Sequence, residues 1–114
     1  MLKSIHRLST KQFMEVMEKG KIYTSPLFVI RVLQESKEGI KGGISAVAPK
    51  KVASTAILRN RLRRQIYEAI SPIRNSVVSG VSVIIFAKAE TAKANFSDLT
   101  ADLKNLFSKA KISV

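Results

Sequence analysis

With 114 residues and 46% hydrophobic content, the chain has one ordinary domain's worth of length and core-forming material, which argues against a disordered polypeptide. Its 20 Lys and Arg against 8 Asp and Glu give a formal net charge of +12, a field that draws polyanions, nucleic acid first and an anionic membrane surface second. No cysteine is present, which removes disulfide frameworks and thiolate metal sites and fits a reducing compartment.

The opening stretch MLKSIHRLSTKQF lacks the apolar run of a signal peptide, and the longest strongly apolar runs, 27–30 and 83–87, are far too short to span a bilayer. A cytoplasmic protein without a membrane partner is therefore expected. Ser9-Thr10-Lys11-Gln12 has the form of a capping box. Phe13, Val16 and Met17 follow at helical spacing and Gly20 ends the run, so a helix over 10–19 is predicted. Residues 22–25 read as a brief strand, and 27–33, rich in large and β-branched residues, as a strand proper. A polar turn at 35–39 and a Gly-containing strand at 41–48 suggest an antiparallel hairpin with it.

Ser54 or Thr55 is placed to cap a helix that runs to about Ile70 and stops before Pro72. Residues 71–80 read as a connection, and 81–87 as a strand apolar enough to be central. Asn95 caps a last helix with Phe96, Leu99, Leu103, Leu106 and Phe107 as its apolar stripe. The whole reads as α+β, a single compact domain over 1–114, in the order α-β-β-β-α-β-α.

The helix over 55–70 carries the strongest functional signal. Leu58-Arg59-Asn60-Arg61-Leu62-Arg63-Arg64 packs four arginines and an asparagine into seven residues. Projected at 100° per residue, Leu58, Leu62, Ile66 and Ala69 share one side and should face the sheet. Asn60, Arg63, Arg64 and Tyr67 fall opposite, with Arg61 beyond them; Arg59 lies at the edge, its stem over the core and its head reaching out. No acidic residue occurs between Glu38 and Glu68, so Lys41, Lys50, Lys51 and the arginines form an uncompensated positive region. A merely solvated face usually mixes signs. Rigid guanidinium forks without partners suit structured phosphates instead, and the natural ligand is a folded nucleic acid.

The run Pro49-Lys50-Lys51-Val52 followed by ILRNRLRRQIYEAI resembles the RNR signature of the bacterial ribonuclease P protein subunit. The flanks agree in order and spacing: a basic N-terminal stretch, then Phe13, Val16, Met17, Gly20 and Lys21, an L-F-V strand, a Gly-rich strand, a V-I-I-F-A-K strand and a closing F-x-x-L-x-x-x-L-x-x-L-F-x-K helix. The resemblance implies one mixed four-stranded sheet with the arginine helix in a left-handed βαβ crossover, against the general right-handed rule. It implies that Arg59, Asn60, Arg61, Arg63 and Arg64 contact the catalytic ribonuclease P RNA. It implies that Phe13, Met17, Arg31, Lys50, Lys51 and Lys88 serve the 5′ leader of precursor tRNA. Mg²⁺ would be held mainly by the RNA subunit and the substrate, and the RNA would perform the hydrolysis with no obligate protein partner. Met17 stands where the family usually has Phe, and Arg31 where many members have an aromatic, which implies less base stacking and more phosphate attraction.

Plainer readings stand beside these roles. Phe13 and Met17 share a helix face of the kind that more often joins a core. Arg31 interrupts an apolar strand, so its face meets solvent or a ligand, and a lysine such as Lys88 after a strand is ordinarily just solvated. His6, alone beside Arg7, makes no credible zinc site or catalytic base. Glu15 with Glu18, and Asp98 with Asp102, read as exposed helix surface, and Gly42-Gly43 lacks the lysine and spacing of a phosphate loop. No self-contained nuclease site is expected. The alternative function is a ribosomal protein or other structural RNA binder without a substrate.

Overall fold

The computed structural model describes residues 8–34, 43–76 and 81–111. The basic N-terminal arm with His6, the turn at 35–39, Lys41 and Gly42 lie outside them. Helix α1 (Thr10–Lys19) is followed by strands β1 (Lys21–Thr24), β2 (Phe28–Gln34) and β3 (Gly43–Val47). Helix α2 (Ala56–Ile70), strand β4 (Val81–Ala87) and helix α3 (Phe96–Lys109) complete the order, with 3₁₀ turns at Ser71–Ser76 and Ala89–Lys93.

The helix starts are set by short polar side chains. Ser9 caps α1 and Asn95 caps α3, each in a reciprocal capping box, with Gln12 and Asp98 returning the bond. Thr55 caps α2 by accepting from the Leu58 amide. At the far end of α1, the chain turns into β1 through Gly20. A Cβ there would lie 2.5 Å from the Val16 carbonyl oxygen, so close approach excludes a side chain at this position.

The sheet order is β1-β2-β4-β3. β1 pairs antiparallel with β2, β2 antiparallel with β4, and β3 parallel with β4. The expected hairpin between 27–33 and 41–48 is therefore not formed. β4 lies between those two strands, because it is the most apolar segment and six of its seven residues are buried. Only a central strand covered on both faces lets that surface leave water. β3 reaches β4 through α2, the crossover that a parallel pair requires.

The two faces of the sheet differ. Phe28, Ile30, Val32, Val83 and Ile85 point to one face and join Leu62, Ile66, Ile70, Leu99, Leu103, Leu106 and Phe107 in the main core. Val29, Arg31, Ser82, Ile84 and Phe86 alternate onto the other, where α1 lies over β2 and β4 with Val16 fully buried. The Arg31 guanidinium donates from Nη1 to the Met17 carbonyl at 2.9 Å, tying that face to α1.

Three apolar or aromatic helix positions differ from the sequence projection. Tyr67 is not on the polar side: it is 5% exposed, and its hydroxyl accepts the Ala46 amide of β3 at 3.1 Å. The buried arc of α2 widens toward its C-terminus because both α3 and β3 contact it. Leu58, expected to face the sheet, is 46% exposed, since the first turn of α2 extends past it. Phe96 is likewise 44% exposed, one residue after the cap of α3, while the rest of that stripe is buried. Tyr67→Phe removes the acceptor of a buried amide. It is expected to destabilise the domain by about 1–3 kcal/mol in urea unfolding, with no change in packing volume.

Asp102 also departs from the surface reading. It accepts from the Ser25 hydroxyl and, at 3.3 Å, from the Leu27 amide. That bond fixes the β1–β2 connection onto α3.

Candidate nucleic-acid interface

The arginines of α2 divide into two kinds. Arg59 is half-buried, and its Nη1 donates to the carbonyls of Ala53 and Ser54, each at 3.2 Å. Its head turns back to the chain entering the helix rather than out to solvent, so it holds the helix start against the preceding loop. Arg63, expected opposite the sheet, is also half-buried, between Tyr67 and Ile70 on the helix wheel. Its Nη2 donates to the Asn60 side-chain oxygen one turn back.

Arg61 and Arg64 are exposed and make no hydrogen bond among the described residues. No acidic residue lies in the first turn of α2, so the positive end of its dipole is also uncompensated. Arg61 and Arg64 are thus presented from a packed helix, with Arg59 holding its start and Arg63 engaged with Asn60 within it.

The second set of residues lies on the opposite face of the sheet. Phe13 is half-buried and Met17 is 38% exposed, one turn apart on the same flank of α1 beside the buried Val16. Neither joins the main core. Beside α1, the floor is continued by Phe86 of β4 and by Ser45 and Val47 of β3, all half-exposed. Sequence reading missed these three. Their signal is parity, since Ser45 pairs with Ile84 and Val47 with Phe86 on the face that Arg31 shares.

Parallel pairing brings the C-terminal ends of β3 and β4 together, and with them Lys50, Lys51 and Lys88. Lys50 and Lys51 are exposed in the turn after β3. Lys88 is half-buried, and its Nζ donates to the Ser25 carbonyl at 2.6 Å. An ammonium has three donors, so this bond fixes its position without using all of them. Arg31 is likewise held in place by the Met17 carbonyl. The face is therefore a trough with one aromatic and one thioether on its helical wall, an aromatic in its floor, and cations along it and at one end.

An exposed arginine pair on α2 and a second group of cations near α1 and the ends of β3 and β4, on a small α+β scaffold, are the footprint of an RNA-binding domain. The family model for ribonuclease P matches residues 2–111. The chain therefore belongs to the ribonuclease P protein family. It is 33% identical over 103 residues to the ribonuclease P protein component of Clostridioides difficile, covering 90% of this chain and 88% of that one. With the component from a Pseudanabaena species the identity is 29% over 113 residues, covering 98% and 97%. The fold is similar to that of the Staphylococcus aureus RNase P protein, with a TM-score of 0.78 at 19% identity over 94% of this chain and 95% of that one. For the RNase P protein from Thermotoga maritima the TM-score is 0.77 at 19% identity over 91% and 96%.

The family carries an expectation of Mg²⁺. Among the described residues, no group of three or more His, Asp or Glu side chains converges to hold a metal ion. Also among the described residues, no helix is long and apolar enough to cross a membrane.

Proposed function

We propose that this chain is the protein subunit of a ribonuclease P ribonucleoprotein. It docks the catalytic RNA through α2 and holds the 5′ leader of precursor tRNA in the trough beside α1, promoting endonucleolytic removal of the leader to give the mature tRNA 5′ end. The observation that carries this reading is that α1, with Phe13 and Met17, and Arg31 lie on the sheet face opposite the one that α2 covers. A protein that only coated one RNA would need a single face. One that joins a catalytic RNA to its substrate needs two.

In this reading none of the named side chains is catalytic. Arg61 and Arg64 grip phosphates of the RNA subunit, while Arg59 holds the start of α2 to the preceding loop and Arg63 is engaged with Asn60 within the helix. In the trough, Phe13 and Phe86 offer ring faces to the leader's bases, Met17 a polarisable contact, and Arg31, Lys50, Lys51 and Lys88 attract its backbone. The RNA and the substrate hold Mg²⁺, and the protein lowers the concentration required by neutralising phosphates nearby.

The test is reconstitution with a bacterial ribonuclease P RNA. Precursor cleavage at low Mg²⁺ is expected to rise well above that of the RNA alone; equal cleavage with and without the protein overturns the reading. Phe13→Ala is expected to weaken binding of leader-bearing precursor by about 1–3 kcal/mol, the worth of one stacked base, and to leave mature tRNA unaffected. Equal losses for both ligands would assign Phe13 to packing.

A further inference from the structure

A groove of about 370 Å³ opens beside the arginine face, between α2 and the 3₁₀ turn Ala89–Lys93. Its α2 wall is one helical ridge: Leu58, Arg61 and Gln65. Val52 and Leu62 lie deeper, and Ala92 lines the opposite wall. The groove is large enough for a small ligand, since binding pockets begin at roughly 300 Å³.

Three observations say what it is shaped for. Its lining is mixed, with Val52, Leu62 and Ala92 as aliphatic surface beside the polar Arg61, Gln65 and Thr91, and Leu58, at its rim, is left 46% exposed without packing on the core. Arg61 enters it with no hydrogen bond among the described residues, and the Gln65 side chain also makes none there. No acidic side chain lines it. A phosphate site would gather several cations, whereas this groove has one guanidinium beside a neutral lining of aliphatic side chains, an amide and a hydroxyl. A protein's apolar side chain would cover the aliphatic part but leave the guanidinium and the amide unused. A nucleobase meets all three, with a ring face for the aliphatic walls and the guanidinium plane, and a polar edge for the Gln65 amide.

We propose that this groove receives one unpaired nucleobase of the RNA that the arginine face docks. The proposal rests on the function assigned above and adds a site to it. Docking by Arg64 and by the N–H edge of Arg61 is phosphate recognition and carries no base information, while the plane of the Arg61 guanidinium stays available to the base. Insertion of a base next to it fixes the register of the RNA along α2.

The experiment uses the full chain and a bacterial ribonuclease P RNA. Ala92→Leu fills the groove without touching a charge, and Ala101→Leu makes the same exchange on the exposed face of α3. Ala92→Leu is expected to lower affinity on the order of tenfold with an unchanged salt slope, because no phosphate contact is lost. In chemical footprints of the complex, one unpaired nucleotide regains reactivity while the remaining protections persist. Ala101→Leu should match wild type. Gln65→Ala, which opens the groove rather than filling it, is expected to cost severalfold in affinity and keeps the test decisive if Ala92→Leu proves unstable. Wild-type affinity in both Ala92→Leu and Gln65→Ala, or a footprint identical in all variants, overturns the groove site and leaves it to a protein ligand or to none. Failure of the wild-type protein to bind the RNA overturns the function itself, so the two failures are distinguishable.

Discussion

An Arg61→Ala/Arg64→Ala double variant is expected to bind the RNA subunit roughly 15–30-fold more weakly near 0.15 M salt, with a log–log salt dependence flatter by about 1.4–1.8. The size follows from two lost phosphate contacts at about 0.7–0.9 each, taken from a 1 M reference. The structure says why two arginines count and not four. Arg61 and Arg64 are exposed and unengaged among the described residues, while Arg59 is bonded to the Ala53 and Ser54 carbonyls and Arg63 to Asn60. Arg59→Ala should therefore change stability more than salt slope. Titration of labelled RNA at several salt concentrations checks both. A slope unchanged in the double variant would show that this face does not meet phosphate, and a slope lowered equally by Arg59→Ala would show that its internal bonds are exchanged for RNA.

Phe107→Ala is expected to cost about 3–5 kcal/mol of folding free energy, a large part of the roughly 5–15 kcal/mol typical of a domain. Phe107 is fully buried on α3 in the cluster that includes Phe28, Ile66 and Leu103. Truncation leaves a cavity where α3, the sheet and α2 meet. Phe96→Ala is the matched control: it has the same residue type on the same helix but is 44% exposed, and should fall within about 0.5 kcal/mol of wild type. Urea unfolding with a common m-value measures both. Equal costs would contradict the burial described for α3. An anion that binds the folded state, such as sulfate, should raise the midpoint of each variant by mass action.

Local chemistry was legible in the sequence, and long-range pairing was not. Ser9, Thr55 and Asn95 announce their helices because a cap acts within three residues. Val81–Ala87 announces a central strand because its composition allows no other environment. Composition cannot say which strands it separates, and proximity in sequence wrongly favoured a hairpin between β2 and β3. The wheel of α2 located the arginine face but misplaced Tyr67 and Leu58, since it assumes one partner along the whole helix. In fact α2 meets β3 and α3 toward its end and solvent at its start. Residue type marked Phe13, Arg31 and the lysines as candidates. Phe86, Ser45 and Val47 became visible only with the register, because small and apolar residues stand on both faces of β3 and β4 and do not say which face meets the core.

The bond from Ala46 to Tyr67 has a further consequence. In the described sheet β3 is an outer strand, and outer strands with unoccupied amides invite a second chain to extend the sheet. The Tyr67 hydroxyl already occupies that amide in the middle of the strand. A subunit made before its RNA is available must stay dispersed in the meantime. The helix that carries the arginines thus also occupies one of the amides through which a second chain could extend the sheet at β3.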